Sequence, residues 1–167
     1  MADDADNGAE ARPTNRIVKI DLDERSLARA TADIEYERKV AIYDLLEVNT
    51  FEPEGGAGEG PFELHLSIVE RRLVFDVRRE GGDKLGSVHL SLMPLRKIIK
   101  DYFLLCESYH EAIRNAAPSQ IETVDMARRA MHNEGSEILR ERLKDKITLD
   151  NDTARRLFTL ICSFHMR

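Results

Sequence analysis

His65, Asp76 and His89 are residue types that can hold a divalent transition metal, and their spacing predicts that they stand in one row. Residues 62–68, 73–78 and 88–92 alternate apolar and polar with a period of two, as strands with one buried face do. A two-residue turn at Glu70 and Arg71 sets Ile68 against Leu73, Leu66 against Phe75 and Glu63 against Arg78, so apolar meets apolar and acid meets base. The same register puts His65 opposite Asp76. A following turn centred on Gly82 and Asp83 puts Asp76 opposite His89, with Ser67 and Ser91 close by. Two imidazoles and a carboxylate aimed at one point would serve a metal or an acid/base reaction. A solvated sheet face on which His and Asp simply pair is the alternative.

A second group lies at 125–135. Asp125, Arg128 and His132 recur at three- and four-residue steps, which places them on one face of a helix. Asp125 could orient His132 as a general base, Glu134 stands two residues on, and Arg128 or Arg129 could hold an anionic group. Spacing fixes no Ser or Cys nucleophile beside them, and a His-Glu-x-x-His metal motif is absent. A solvated helix face, with Gly135 marking a helix end, a bend or a close packing contact, is the structural reading.

Basic residues gather at Arg96, Lys97 and Lys100, and again at Arg140, Arg142, Lys144, Lys146, Arg155 and Arg156. Glu141, Asp145, Asp150 and Asp152 interleave with the second set and blunt its field, the net charge is −6, and aromatics are only 6%. These features argue against nucleic acid as a partner. The glycines of 54–60 lack the Lys and Ser/Thr of a phosphate-binding loop, so no nucleotide or other cofactor is assigned. Cys106 and Cys162 sit in apolar helical patterns without Cys-x-x-Cys spacing and read as buried, reduced thiols.

The elements that would position these groups follow from periodicity. Residues 16–22 alternate as a first strand through Val18, Ile20 and Leu22. Tyr36, Val40, Tyr43 and Leu46, widened by Ile42 and Leu45, predict an amphipathic helix over 33–49 with that stripe inward. Pro94 opens a second helix with one stripe from Leu95 through Ile98, Ile99, Tyr102, Cys106 and Tyr109 to Ile113. A third begins at Pro118, with Ser119 and Glu122 at capping-box spacing, and a fourth follows Asp150, Asn151 and Asp152. The expected fold is α+β: an antiparallel meander of about four strands with about four helices over one face.

A chain of 167 residues with 42% apolar content suits a single domain over 16–167. Residues 1–15 hold no large apolar side chain beyond Met1 and read as a disordered tail. No apolar run reaches membrane-spanning length and no secretory pattern opens the chain, so the expectation is a cytoplasmic protein.

From about residue 17 to its end the chain resembles the uncharacterised bacterial protein family UPF 0262. The residues that carry the resemblance are 40–45 (VAIYDL), 64–68 (LHLSI), 100–103 (KDYF), 132–136 (HNEGS) and 153–162 (TARRLFTLIC). It implies a bacterial cytoplasmic protein and brings no activity, cofactor or catalytic residue with it. The leading expectation is a non-enzymatic protein that works through protein contacts and self-association, because the apolar stripes on the second and last helices exceed what one small sheet covers. The rival is a small metal-dependent or acid/base enzyme built on His65, Asp76 and His89, with His132 and Glu134 arriving from the third helix.

Overall fold

The computed structural model describes residues 13–56 and 58–164, so most of the expected tail, residues 1–12, lies outside the described residues. Ten elements follow in order: β1 (Ile17–Leu22), α1 (Ala32–Glu47), β2 (Phe51–Pro53), β3 (Phe62–Val69), β4 (Arg72–Arg79), β5 (Lys84–Ser91), α2 (Met93–Asn115), α3 (Pro118–Leu143), β6 (Ile147–Leu149) and α4 (Asn151–Ser163). The class is α+β as expected, with a four-stranded sheet in the order β1-β3-β4-β5 and a small β2-β6 ribbon.

Only β3, β4 and β5 form a meander. β1 lies parallel to β3, because the chain leaves β1 and passes through α1 before it returns to the sheet. The β3–β4 register is the expected one throughout: Ile68 faces Leu73, Leu66 faces Phe75, His65 faces Asp76 and Glu63 faces Arg78. Glu70 and Arg71 form the turn with φ of 51° and 63°. A two-residue hairpin turn with both residues left-handed matches strand twist, but outside glycine it costs roughly 1 kcal/mol or more per residue.

One sheet face is apolar. Phe62, Leu64, Leu66, Leu73, Phe75, Val77 and Leu90 are buried there and join Leu95, Ile98 and Ile99 of α2, Leu139 and Leu143 of α3, and Leu157, Phe158, Leu160 and Ile161 of α4 in one contiguous core. A buried aliphatic or aromatic side chain of this kind contributes about 1.5–3 kcal/mol through its removal from water. The stripe on α4 is therefore fully absorbed, while α2 buries only its first turns.

Two helices differ from their expected form. α1 turns Ile34, Arg38, Ala41 and Leu45 inward and leaves Tyr36 and Tyr43 69% and 70% exposed. The reason is Arg38, whose guanidinium is buried and donates to the carbonyls of Ala28 and Ser163, both at 3.1 Å, beside the Phe164 ring. Burial lowers its pKa, and Glu24 and Glu35 work against that. An inward stripe that contains an arginine does not show as an apolar period. In α3 the capping box does not form: Ala117 is the N-cap, and Ser119 lies inside the helix, where its carbonyl accepts the Thr123 hydroxyl. That helix runs unbroken through Gly135. The Asp150 cap of α4 is present, its carboxylate accepting from the Thr153 amide at 2.8 Å.

Candidate functional site

The sheet row is displaced from its expected form. Asp76 faces Ser87, and His89 faces Val74, two residues along the same face. Gly81 and Gly82, with φ of 89° and 149°, tighten the turn, and a bulge at Leu85 takes up the remaining residue. The Ser87 hydroxyl donates to Asp76 at 2.5 Å and Lys84 approaches it at 3.2 Å. Burial works to raise the Asp76 carboxyl, but these two bonds, with Lys84 and His65 nearby, hold it below its ordinary value. On the other flank Asp21 of β1 faces His65 across the parallel pair. The row is thus Asp21, His65, Asp76 and Ser87, with His89 outside it. Among the described residues no three His, Cys, Asp or Glu side chains gather to hold a metal ion.

His132 turns away from Asp125. Its Nε2 lies 2.7 Å from the Thr159 hydroxyl, and its ring meets Phe158 edge-on at 5.2 Å and Tyr102 at 5.5 Å between centroids. The Thr159 hydroxyl donates its one hydrogen to the Arg155 carbonyl, so the imidazole is assigned as the Nε2–H tautomer, with a bare, buried Nδ1 that has no partner. Burial first, then Arg155 and Arg128, lower its pKa to about 4, which leaves a weak base. Asp125 instead bonds Arg128 at 2.7 Å and Arg129 at 3.0 Å, and Arg128 lies 4.5 Å over the Tyr109 ring. Glu134 is exposed on the helix surface. Cys162 is buried and Cys106 half-buried, and burial raises the pKa of both. The His132 group is a packing joint between α2, α3 and α4.

The feature that periodicity did not single out is the outer face of α2. Met93, Lys97, Lys100, Leu104, Glu107, Ser108 and Glu111 are all exposed, and their three- and four-residue spacing puts them on one stripe opposite the core. Leu104, 54% exposed, stands at the middle of that stripe. Arg96, Lys97 and Lys100 lie toward the N-terminal end, while Glu107 and Glu111 lie toward the C-terminal end. Glu107 repels Glu111 one turn on, while of these charges only Arg96 lies in a terminal turn and the last turn carries Arg114, so the helix dipole adds little. None of Lys97, Lys100, Glu107 and Glu111 has an ion-pair partner among the described residues. Basic residues toward one end of the stripe and acidic ones toward the other make an order of charges that a second, antiparallel copy would neutralise.

Comparison with known proteins places this chain. The model of the uncharacterised protein family UPF0262 matches residues 14–167. A UPF0262 protein of Azorhizobium caulinodans is 58% identical over 93% of this chain and 96% of its own length. Relatives of the same description from Xanthobacter autotrophicus and Brucella canis are 56% and 55% identical, over 95% and 93% of this chain and 96% of theirs. No solved structure matches the chain. The match runs from just before β1 to the last residue, and on it the chain belongs to the uncharacterised bacterial protein family UPF0262.

Proposed function

We propose that this protein acts in the cytoplasm through protein contacts, without catalysis of its own, and that it does so as a homodimer joined along α2. The charge order on the outer face of that helix carries the reading. When two copies of α2 lie antiparallel about a two-fold axis at Leu104, the two leucines meet at the centre. Lys97 then faces Glu111 of the second copy, Lys100 faces its Glu107, and Asp101 faces its Ser108. The midpoint of 97 and 111, and nearly that of 100 and 107, falls on Leu104, so one axis satisfies every pair. The outermost pairs lie about 21 Å apart along the helix, within the reach of a seam between two helices packed 8–10 Å apart.

Each exposed ion pair contributes about 0–1 kcal/mol, so the dimer is modest in affinity and sensitive to salt. Among the described residues no helix is long and apolar enough to cross a membrane. Sedimentation velocity across a concentration series tests it directly. A dimer at low ionic strength that dissociates as salt rises agrees with the proposal, and a monomer at every concentration and ionic strength contradicts it.

A further inference from the structure

At the N-terminal end of α2, a cavity of about 480 Å³ opens between that helix, the β3–β4 turn and the end of α4. Its volume lies within the roughly 300–1,000 Å³ of small-molecule sites. Ile68, Leu92, Ile99, Phe103 and Phe164 supply apolar walls, and among the described residues no acid lines it. Among the described residues Arg71, Arg96 and Lys100 are the only charged ones that line it, and none of the three forms an ion pair there. Arg71 is also one of the two residues held left-handed in the β3–β4 turn, a conformation that glycine would adopt without cost. An exposed arginine kept in a strained position in the lining of an apolar cavity, beside two other cations without an ion pair among the described residues, points to a ligand that needs it.

We infer that this cavity binds an amphiphilic anion, a single apolar chain that ends in a phosphate or carboxylate. The chain fills the space between Ile99, Phe103 and Phe164. The head group takes charge-assisted hydrogen bonds from Arg71 and Arg96, whose planar forks match phosphate and carboxylate oxygens, and from Lys100. The inference stands apart from the dimer. Met93 and Lys100 border both surfaces, so the test rests on Arg71 and Arg96, which lie outside the paired positions of the α2 seam.

Titration calorimetry of the full chain with monomeric decyl phosphate, against decanol and inorganic phosphate as separate probes, decides the matter. Decyl phosphate is expected to bind saturably, one per chain, at least about tenfold tighter than either probe. Arg96→Ala and Arg71→Gly should each weaken it by roughly tenfold, the loss of one charge-assisted contact. Arg71→Gly should also melt higher than the parent, because it relieves the turn, so weak binding by that variant cannot be ascribed to misfolding. The inference is overturned by any of three results: no binding of decyl phosphate, equal affinity for decanol or for inorganic phosphate, or undiminished binding by both variants.

Discussion

Gly135 of α3 lies against the ring of Phe158 of α4 so closely that a Cβ there would overlap Cζ and both Cε atoms. The glycine is buried and the phenylalanine fully so, which leaves no room for a side chain between the two helices at this point. It explains why a helix tolerates glycine at this position despite a propensity loss of about 1 kcal/mol. Gly135→Ala, which elsewhere in a helix would stabilise, should therefore destabilise by about 1–3 kcal/mol through overpacking. Urea denaturation with an unchanged m-value would report it, and a neutral or stabilised variant would show that Phe158 can move aside.

His132 gives the fold a pH dependence whose sign is fixed. Its folded pKa is lowered to about 4, against an unfolded value near 6.5. As pH falls below about 6.5 the unfolded chain takes up the proton first, so stability is full above that pH and declines toward about 4. Titration of the His132 ring protons by NMR should place its pKa near the lower value. The acid side of the stability profile should flatten between those limits in His132→Phe. A ring that titrates normally would show that the site is wetter than its packing against Tyr102 and Phe158 implies.

The cap of α4 predicts a second, lower pH window. Burial works to raise the Asp150 carboxyl, but bonds from Thr153 and Thr50, with Arg156 nearby, hold it below its ordinary value. Its contribution is present above the unfolded carboxylate range and lost as pH falls through the folded value. Asp150→Ala should cost about 1 kcal/mol at neutral pH. Thermal melts at neutral and strongly acidic pH check it, since the difference between parent and variant should vanish in acid.

The β3–β4 turn should be improvable. Glu70 has φ of 51° but does not line the cavity at Arg71. Glu70→Asn, which tolerates the left-handed region, should raise stability by about 0.5–1 kcal/mol. It should also leave decyl phosphate binding unchanged, which separates relief of turn strain from loss of the Arg71 cation. A fall in stability would mean that the Glu70 side chain makes a contact worth more than the strain.

What could be read from the sequence depended on whether neighbours along the chain supplied the signal. The β3–β4 register was legible because Glu70 and Arg71 leave no slack and both apolar and charged pairs fall into phase. The next hairpin was not, because two flexible glycines and a bulge at Leu85 moved His89 away from Asp76. Strands β2 and β6, at three residues each, are too short to show a period. The inward face of α1 was hidden by Arg38, a charged residue in a core stripe. The cavity was beyond reach for another reason: Ile68 and Arg71, Arg96, and Phe164 come from three separate places in the chain. The stripe of Lys97, Lys100, Leu104, Glu107 and Glu111 on α2 was written in their spacing, but only burial showed that it faces outward.

The proposed dimer depends above all on the pairing of Lys97 with Glu111 across two copies of α2, which reversal of those charges would break and restore. By sedimentation equilibrium at low ionic strength, Lys97→Glu and Glu111→Lys should each weaken the dimer by about tenfold, because each sets like charges face to face in both symmetric pairs. The double variant, with both reversals in one chain, should recover parental association while the circular dichroism of all three stays unchanged. If the single variants dimerise as the parent does, or the double variant fails to recover, α2 is not the seam.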